Sequence, residues 1–366
     1  MRRLKRVAVW AAIGLAGLAL ACAIPVATIE GTCAVSPDPS WQGGSRFGLA
    51  PEGYKRAAGD SYLTFPEWNI VHAYADLAGV TQSASESAFD YLSAISGFWT
   101  SLCGTTRAAS RTGDVTAGQK ATNYIIGVSF TAEMAIQGAY ESSLGALTAW
   151  WRGPEPTAED RFNARMLAEY AVFLRQTPWF RYPFDAELAR LWREVPFEPS
   201  IRAFERRAAL SLQYGVKWAY AQAIGWLAGI DPAVLTIRSV VDGLDAGDVA
   251  ADPRITPLGP VPTGDGVPAI LIETPRYRAF TEILRGLGAC NRTVLEIAGN
   301  RRILTTILLP AGTEIAIAGA TPLFAMPIQA QPGWRRVGLD TEVTSLVNQI
   351  RFVEARGGRF EHAYDY

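Results

Sequence analysis

The strongest constraint in this chain is an uncharged apolar run, "VAVWAAIGLAGLALACAIPVATI", from Val7 to Ile29. It follows the basic flank "MRRLKR". At about 1.5 Å per residue such a run crosses roughly 30 Å of hydrocarbon. Arg2, Arg3, Lys5 and Arg6 would then stay in the cytoplasm, sending the bulk of the chain outward. The expectation is a single-pass signal anchor over residues 1–29. Two alternatives stay open: a cleaved signal peptide ending at Ala19-Leu20-Ala21, or a lipoprotein acylated at Cys22. The run continues past Cys22 to Val26, and Ala19 stands where lipoprotein processing favours Leu; both points favour the anchor. The later segment "GVKWAYAQAIGWLAGI" (215–230) is too short for a span and carries Lys217 and Gln222, so a buried core helix is expected there.

The rest is long enough for about two domains, with 49% hydrophobic residues to build cores. A formal net charge of −1 argues against nucleic acid as a partner, because phosphate contacts need clustered Lys and Arg. Only two histidines are present, which works against a His-rich metal site; no cofactor or metal is implied. Beyond the run, Cys33, Cys103 and Cys290 permit one disulfide whose pairing spacing does not reveal.

Composition shifts suggest a stalk over 30–60, a mainly helical domain over 61–241, a Pro/Gly/Asp-rich linker over 242–267 and an α+β domain over 268–366. Within the helical part, helices are expected at 65–78, 84–102, 121–151, 158–176, 185–194 and 200–228. Thr157 and Ser200 are the expected N-caps. The polar stretch 104–120 is expected as a mobile loop. In the last domain the order β-α-β-β-(β)-α-β fits a ferredoxin-like sandwich. Gly299-Asn300 would join two of its strands as a hairpin.

Candidate chemistry is concentrated in "YLTFPEWNIVHAYADLAG" (62–79), which holds one of the two histidines. Thr64 and Glu67 have capping-box spacing, with Leu63 and Trp68 placed as a hydrophobic staple and Pro66 in the first turn. The triplet Pro66-Glu67-Trp68 therefore reads as a helix start. Trp68, His72 and Asp76 follow at i, i+4 and i+8, so Asp76 could hold one imidazole nitrogen and leave the other to act. A satisfied, half-buried histidine is the plainer alternative. Ser129, Glu133, Gln137 and Glu141 form a stripe that reads as a solvated face; its catalytic reading pairs Glu133 with a group from another element. In the tail "FEHAYDY", Phe360, His362, Tyr364 and Tyr366 would share one face of a strand, either as sheet packing or with His362 beside a tyrosine hydroxyl in a pocket. The candidate catalytic set is thus His72, Asp76, Glu133 and His362. "WWRG" (150–153) and "PWFRYPF" (178–184) suit helix-end packing or a membrane interface.

"YLTFPEWNIVHAY", "FWTSLC" (98–103), "GVSFTAEMAIQGAYE" (127–141) and "FEHAYDY" together resemble a set of uncharacterised bacterial membrane-anchored proteins. Those carry a Leu-Pro-Glu-Trp segment, with Phe65 here in place of Leu, and a matching tail. The resemblance implies a bacterial origin and transfers no activity. The resulting expectation is an inner-membrane protein with periplasmic domains, a binding or accessory component of the envelope with a lipid or protein partner rather than an enzyme. Its alternative is a membrane-tethered hydrolase or lyase working by acid-base chemistry at His72.

Overall fold

The computed structural model describes residues 23–41, 55–153, 155–227, 235–263 and 268–366, with Gly17, Leu20 and Gly44. Most of the expected anchor lies outside these residues. Its described end, 23–28, belongs to a helix, α1, that widens into a π-turn over Ile29–Cys33. Among the described residues no helix is long and apolar enough to cross a membrane.

The chain is α+β. Its helical body comprises α2 (Ala58–Leu63), α3 (Phe65–Ser83), α4 (Tyr91–Thr112), α5 (Ala117–Tyr140), α6 (Ala146–Arg152), α7 (Ala158–Phe173), α8 (Phe184–Arg193) and α9 (Ile201–Leu227). The described part of the stretch read as a stalk is fastened to this body. Cys33 is bonded to Cys103 of α4, the Asp38 amide donates to the Arg111 carbonyl, and Glu30 meets Lys120 and Tyr124 of α5. A bridge across 70 positions removes about 4 kcal/mol of loop entropy from the unfolded chain in the entropic account.

Three local expectations are corrected. The stretch 104–120 is not a loop: α4 continues to Thr112, and only 113–116 separate it from α5. Its small residues pack by close approach rather than by apolar bulk. A Cβ at Gly104 would lie 2.6 Å from the Leu323 carbonyl oxygen, and Ala108 and Ala109 are buried beside Phe65. Thr64 is not a cap; it is itself helical, and its hydroxyl donates back to the Asp60 carbonyl. The free amides of the preceding helix end, Ala58 and Gly59, instead donate to the Asp114 carboxylate at 2.6 and 3.1 Å. The segment 215–230, whose last residues lie outside the described ones, is not a buried helix over its described part either, since Val216, Trp218 and Tyr220 are exposed. Thr157 forms a full capping box with Asp160, and the Ser200 hydroxyl accepts from the Ala203 amide.

The β region holds two four-stranded antiparallel sheets where a single sheet was expected. The first contains β1 (Thr236–Asp242), β2 (Thr256–Val261), β3 (Ala269–Pro275) and β4 (Thr293–Ile297), in the order β2-β3-β1-β4. The second contains β5 (Arg302–Pro310), β6 (Ala320–Pro327), β7 (Trp334–Glu342) and β8 (Arg359–Tyr364), in the order β6-β7-β5-β8. The first sheet thus begins ahead of the stretch read as a linker, which itself supplies α10 (Ala246–Ala251) and β2. Gly299 does make a turn, at φ 78°, but β4 and β5 then enter different sheets instead of pairing as a hairpin. Helices α11 (Arg278–Ala289) and α12 (Leu346–Glu354) pack on each other and share one core with both sheets.

Candidate functional site

The two conspicuous motifs of the sequence meet. Helix α3 lays Phe65, Trp68 and His72 against β8 at the edge of the second sheet. The Trp68 and His362 rings lie 3.8 Å apart, and the Tyr364 ring meets Phe65 and Trp68 edge-on at 5.3 and 5.9 Å. Ser61 at the end of α2 locks the register, donating to the Tyr364 carbonyl and accepting from the Leu304 amide. A bulge between Phe360 and His362 breaks the expected alternation. Phe360 turns into the core with α11 and α12, while His362 and Tyr364 face α3.

His72 is held on both sides. Its Nε2 lies 3.1 Å from the Tyr364 hydroxyl, which lies 3.0 Å from the Thr306 hydroxyl. Its Nδ1 faces Glu361, not Asp76, at 3.7 Å. Glu361 is gripped by the Arg336 guanidinium at 2.6 and 2.9 Å. Burial, reinforced by Arg336, pushes the His72 imidazole down to about 3, so the ring is neutral near pH 7. Burial opposes the Glu361 charge, yet Arg336 overrides it and holds the carboxyl at about 2. A proton on Nδ1 facing that carboxylate leaves Nε2 to accept from Tyr364.

His362 is also neutral, lowered to about 3 by burial, with its Nδ1 2.8 Å from the Thr281 hydroxyl. Asp76 sits one turn beyond His72, where its carboxylate accepts from the Gln329 amide at 3.2 Å. Burial raises it to about 6 against the pull of Arg336. A cleft of about 160 Å³ opens here, lined by His72, Asp76, Asn69, Gln329 and Arg336 among others. Glu133 stands apart from it: its carboxylate takes the Tyr74 hydroxyl at 2.5 Å and Lys217 at 2.8 Å. The structure therefore brings His72, Asp76 and His362 to one region and leaves Glu133 out. Sequence reasoning missed Glu361, Thr306 and Arg336, and it set a tyrosine hydroxyl beside His362 where that of Tyr364 meets His72. Only the quoted tail "FEHAYDY" carried a signal for one of the three.

These shifts set the response to acid. A histidine lowered in the fold contributes stability above its unfolded value of 6.5, and loses it as pH falls toward the folded value of about 3. Asp76, raised from 3.8 to about 6, acts the other way, stabilising on the acid side. Glu141 and Glu205, both raised to about 7, act in the same sense as Asp76, so the histidine contribution is read by substitution. The destabilisation caused by His362→Asn should be smaller at pH 4.5 than at pH 7, measured by denaturant midpoints, because only the parent chain then bears the cost of keeping that ring neutral. An equal or larger loss at pH 4.5 would show that the ring is not buried neutral.

A second polar cluster lies inside the helical body, on the stripe expected to be solvated. Glu141 starts a π-turn (Glu141–Gly145), and its carboxylate folds over Gly145, where a Cβ would lie 2.9 Å from Oε2. Arg206 of α9 reaches the buried Glu86 at 2.5 Å and Glu141 at 2.8 Å, and the partly exposed Asp160 at 3.0 Å. Arg202 pairs with Asp160 and Glu205. Beside this cluster the surface is apolar: Leu144, Leu147, Trp150, Trp151, Phe204 and Leu212 are all at least half exposed. Among the described residues no group of His, Cys, Asp and Glu is placed to hold a metal ion.

No protein family, curated protein or solved structure matches this chain.

Proposed function

We propose that the chain is a bacterial inner-membrane protein, anchored once by residues 1–29, whose periplasmic part is a binding or accessory component of the envelope. The observation that carries this reading is the exposed apolar face around Leu147, Trp150, Trp151 and Phe204. Monomeric proteins rarely leave such a surface uncovered unless something binds there. Aromatic residues next to Arg152 also suit the membrane–water boundary. The basic flank before Val7 supports the orientation, and the Cys33–Cys103 bridge suits an oxidising compartment. The strand order and the β-α-β-β-α-β element order of the first sheet support reading it as a ferredoxin-like unit, and the second repeats the strand order without a helix between β5 and β6; neither implies an activity by itself.

The His72 relay favours structure over catalysis, because both ring nitrogens face partners supplied by the fold. One observation favours the second reading, a tethered hydrolase or lyase: the raised Asp76 carboxyl lines a cleft beside Arg336. Fractionation with protease accessibility tests the main reading. The full chain should sediment with inner membranes, resist protease in intact cells and be digested in spheroplasts. Recovery in the cytosol, or digestion only after lysis, would contradict it.

A further inference from the structure

The cleft beside His72 is lined by polar groups that the fold does not use. Its floor is one face of α3, where Asn69, Ala73 and Asp76 follow at i, i+4 and i+7, a span of about 10 Å. Asn69 is 4% exposed, and its carboxamide has no hydrogen-bond partner among the described residues. Arg336 uses Nε and Nη2 on Glu361, which leaves the N–H groups of Nη1 for the cleft. Neither group is sealed in the interior: both present surface, and both line the same space. Glu361 fixes their relative height. It faces His72 while gripping Arg336, so the guanidinium lies beside the turn that separates Asn69 from Asp76. Asp76 is 8% exposed and accepts from the Gln329 amide, but it forms no ion pair among the described residues. Buried polar groups in native folds are nearly always paired, so three of them on one small cleft define the contacts of a ligand.

Charge selects that ligand. Arg336 is matched by Glu361 and the His72 ring is neutral, so the Asp76 carboxylate is the unmatched charge. Burial has pushed it up to about 6, as expected of a carboxylate that no cation has reached closely. An anion would add to that charge, and a cation would cancel it. The cation is organic, because no group among the described residues is placed to hold a metal ion. Nη1 offers only donors and calls for an oxygen, while the Asn69 carboxamide serves a donor or an acceptor. Ala73, Ala94 and Met326 supply an apolar wall for a short carbon skeleton. The cleft of about 160 Å³ suits about six to eight non-hydrogen atoms, since a cavity of ~150 Å³ admits benzene. Gly97 of α4 lines the cleft as well, and a Cβ there would meet nothing within 4 Å. Packing therefore does not account for a glycine inside α4, where it weakens the helix.

We propose that this cleft binds a small amino alcohol, with its ammonium on Asp76 and its hydroxyl on Arg336 and Asn69. The inference rests on reading the chain as a binding protein, and it depends neither on the anchor nor on the apolar face.

The test titrates the full chain in detergent at pH 7.5 with valinol, valine and isovalerate, which share one branched carbon skeleton, and reads binding by calorimetry. Valinol should bind one to one. Valine should bind roughly tenfold more weakly, because its carboxylate returns the negative charge that its ammonium cancels, and isovalerate should not bind. Asp76→Asn should weaken valinol by roughly tenfold or more. Its denaturant midpoint should be no lower than the parent's, since it removes a buried charge and keeps an oxygen for the Gln329 amide. Gly97→Leu fills the cleft from a position with open space around it, so it should fold normally and abolish valinol binding. Failure of valinol to bind would overturn the proposal. So would equal binding of all three compounds, or undiminished binding by Gly97→Leu, since both place the ligand elsewhere. An Asp76→Asn variant that loses stability but keeps its affinity would assign Asp76 to the fold and overturn it too. None of these outcomes bears on the fractionation result, so failure of the ligand and failure of the membrane assignment remain distinguishable.

Discussion

Replacing Arg206 with alanine should destabilise the helical body by about 3–5 kcal/mol, among the largest single-residue effects in this protein. The guanidinium is 2% exposed and lies within 3.0 Å of Glu86, Glu141 and Asp160. Removing it strands Glu86 and Glu141, both buried, with their charges uncompensated. Glu141 is already raised to about 7 by burial and by the neighbouring Glu86, so in the variant it must take up a proton for the fold to survive. The loss should therefore be greatest at alkaline pH. Neutralising all three, with Arg206→Met, Glu86→Gln and Glu141→Gln, should recover much of it, because a buried ion cluster stabilises little over neutral groups of similar volume. Denaturant midpoints followed by tryptophan fluorescence measure both. A change below about 1 kcal/mol for Arg206→Ala would mean that water reaches the cluster.

Trp68→Ala should cost about 3–5 kcal/mol, the range for deleting a large buried aromatic. Trp68 is buried on α3, stacks on His362 and meets Tyr364 edge-on, so its loss opens a cavity between the helical body and the second sheet. Its neighbour Glu67 is exposed in the first turn of the same helix. Glu67→Gln should change stability by no more than about 0.5 kcal/mol. Of the Pro-Glu-Trp triplet, the tryptophan is the residue that stacks on β8. Urea titrations of the two variants would separate these expectations directly.

What the sequence revealed follows from how local each cause is. The caps at Thr157 and Ser200 were legible because a cap involves a few consecutive residues. The placement of Trp68, His72 and Asp76 on one stretch of α3 was legible for the same reason. The Ser129–Glu141 stripe misled because charged residues at helical spacing usually face water, and the arginine that buries Glu141 comes from Arg206, 65 positions away. The stretch 104–120 misled because its glycine and small polar residues serve close packing, a use that composition does not separate from a loop. Asp76 was the obvious partner for His72 on its own helix. Glu361 holds that place instead, brought there by a strand pairing that local pattern does not encode. Two sheets were read as one because β1 lies ahead of a stretch whose Asp, Gly and Pro content mimics a linker.

The central claim is that the Trp68–His72 helix and the His362–Tyr364 strand form a closed structural latch, leaving function to the groups outside it. A double-mutant cycle between Trp68 and His362 tests it most directly, using Trp68→Ala, His362→Ala and the double variant, each unfolded in urea at pH 7. The latch predicts a coupling of about 1 kcal/mol or more, within the 0.5–3 kcal/mol typical of contacting residues. Additive effects, with coupling within about 0.3 kcal/mol of zero, would contradict it. The motifs would then be neighbours that do not hold the two parts of the molecule together.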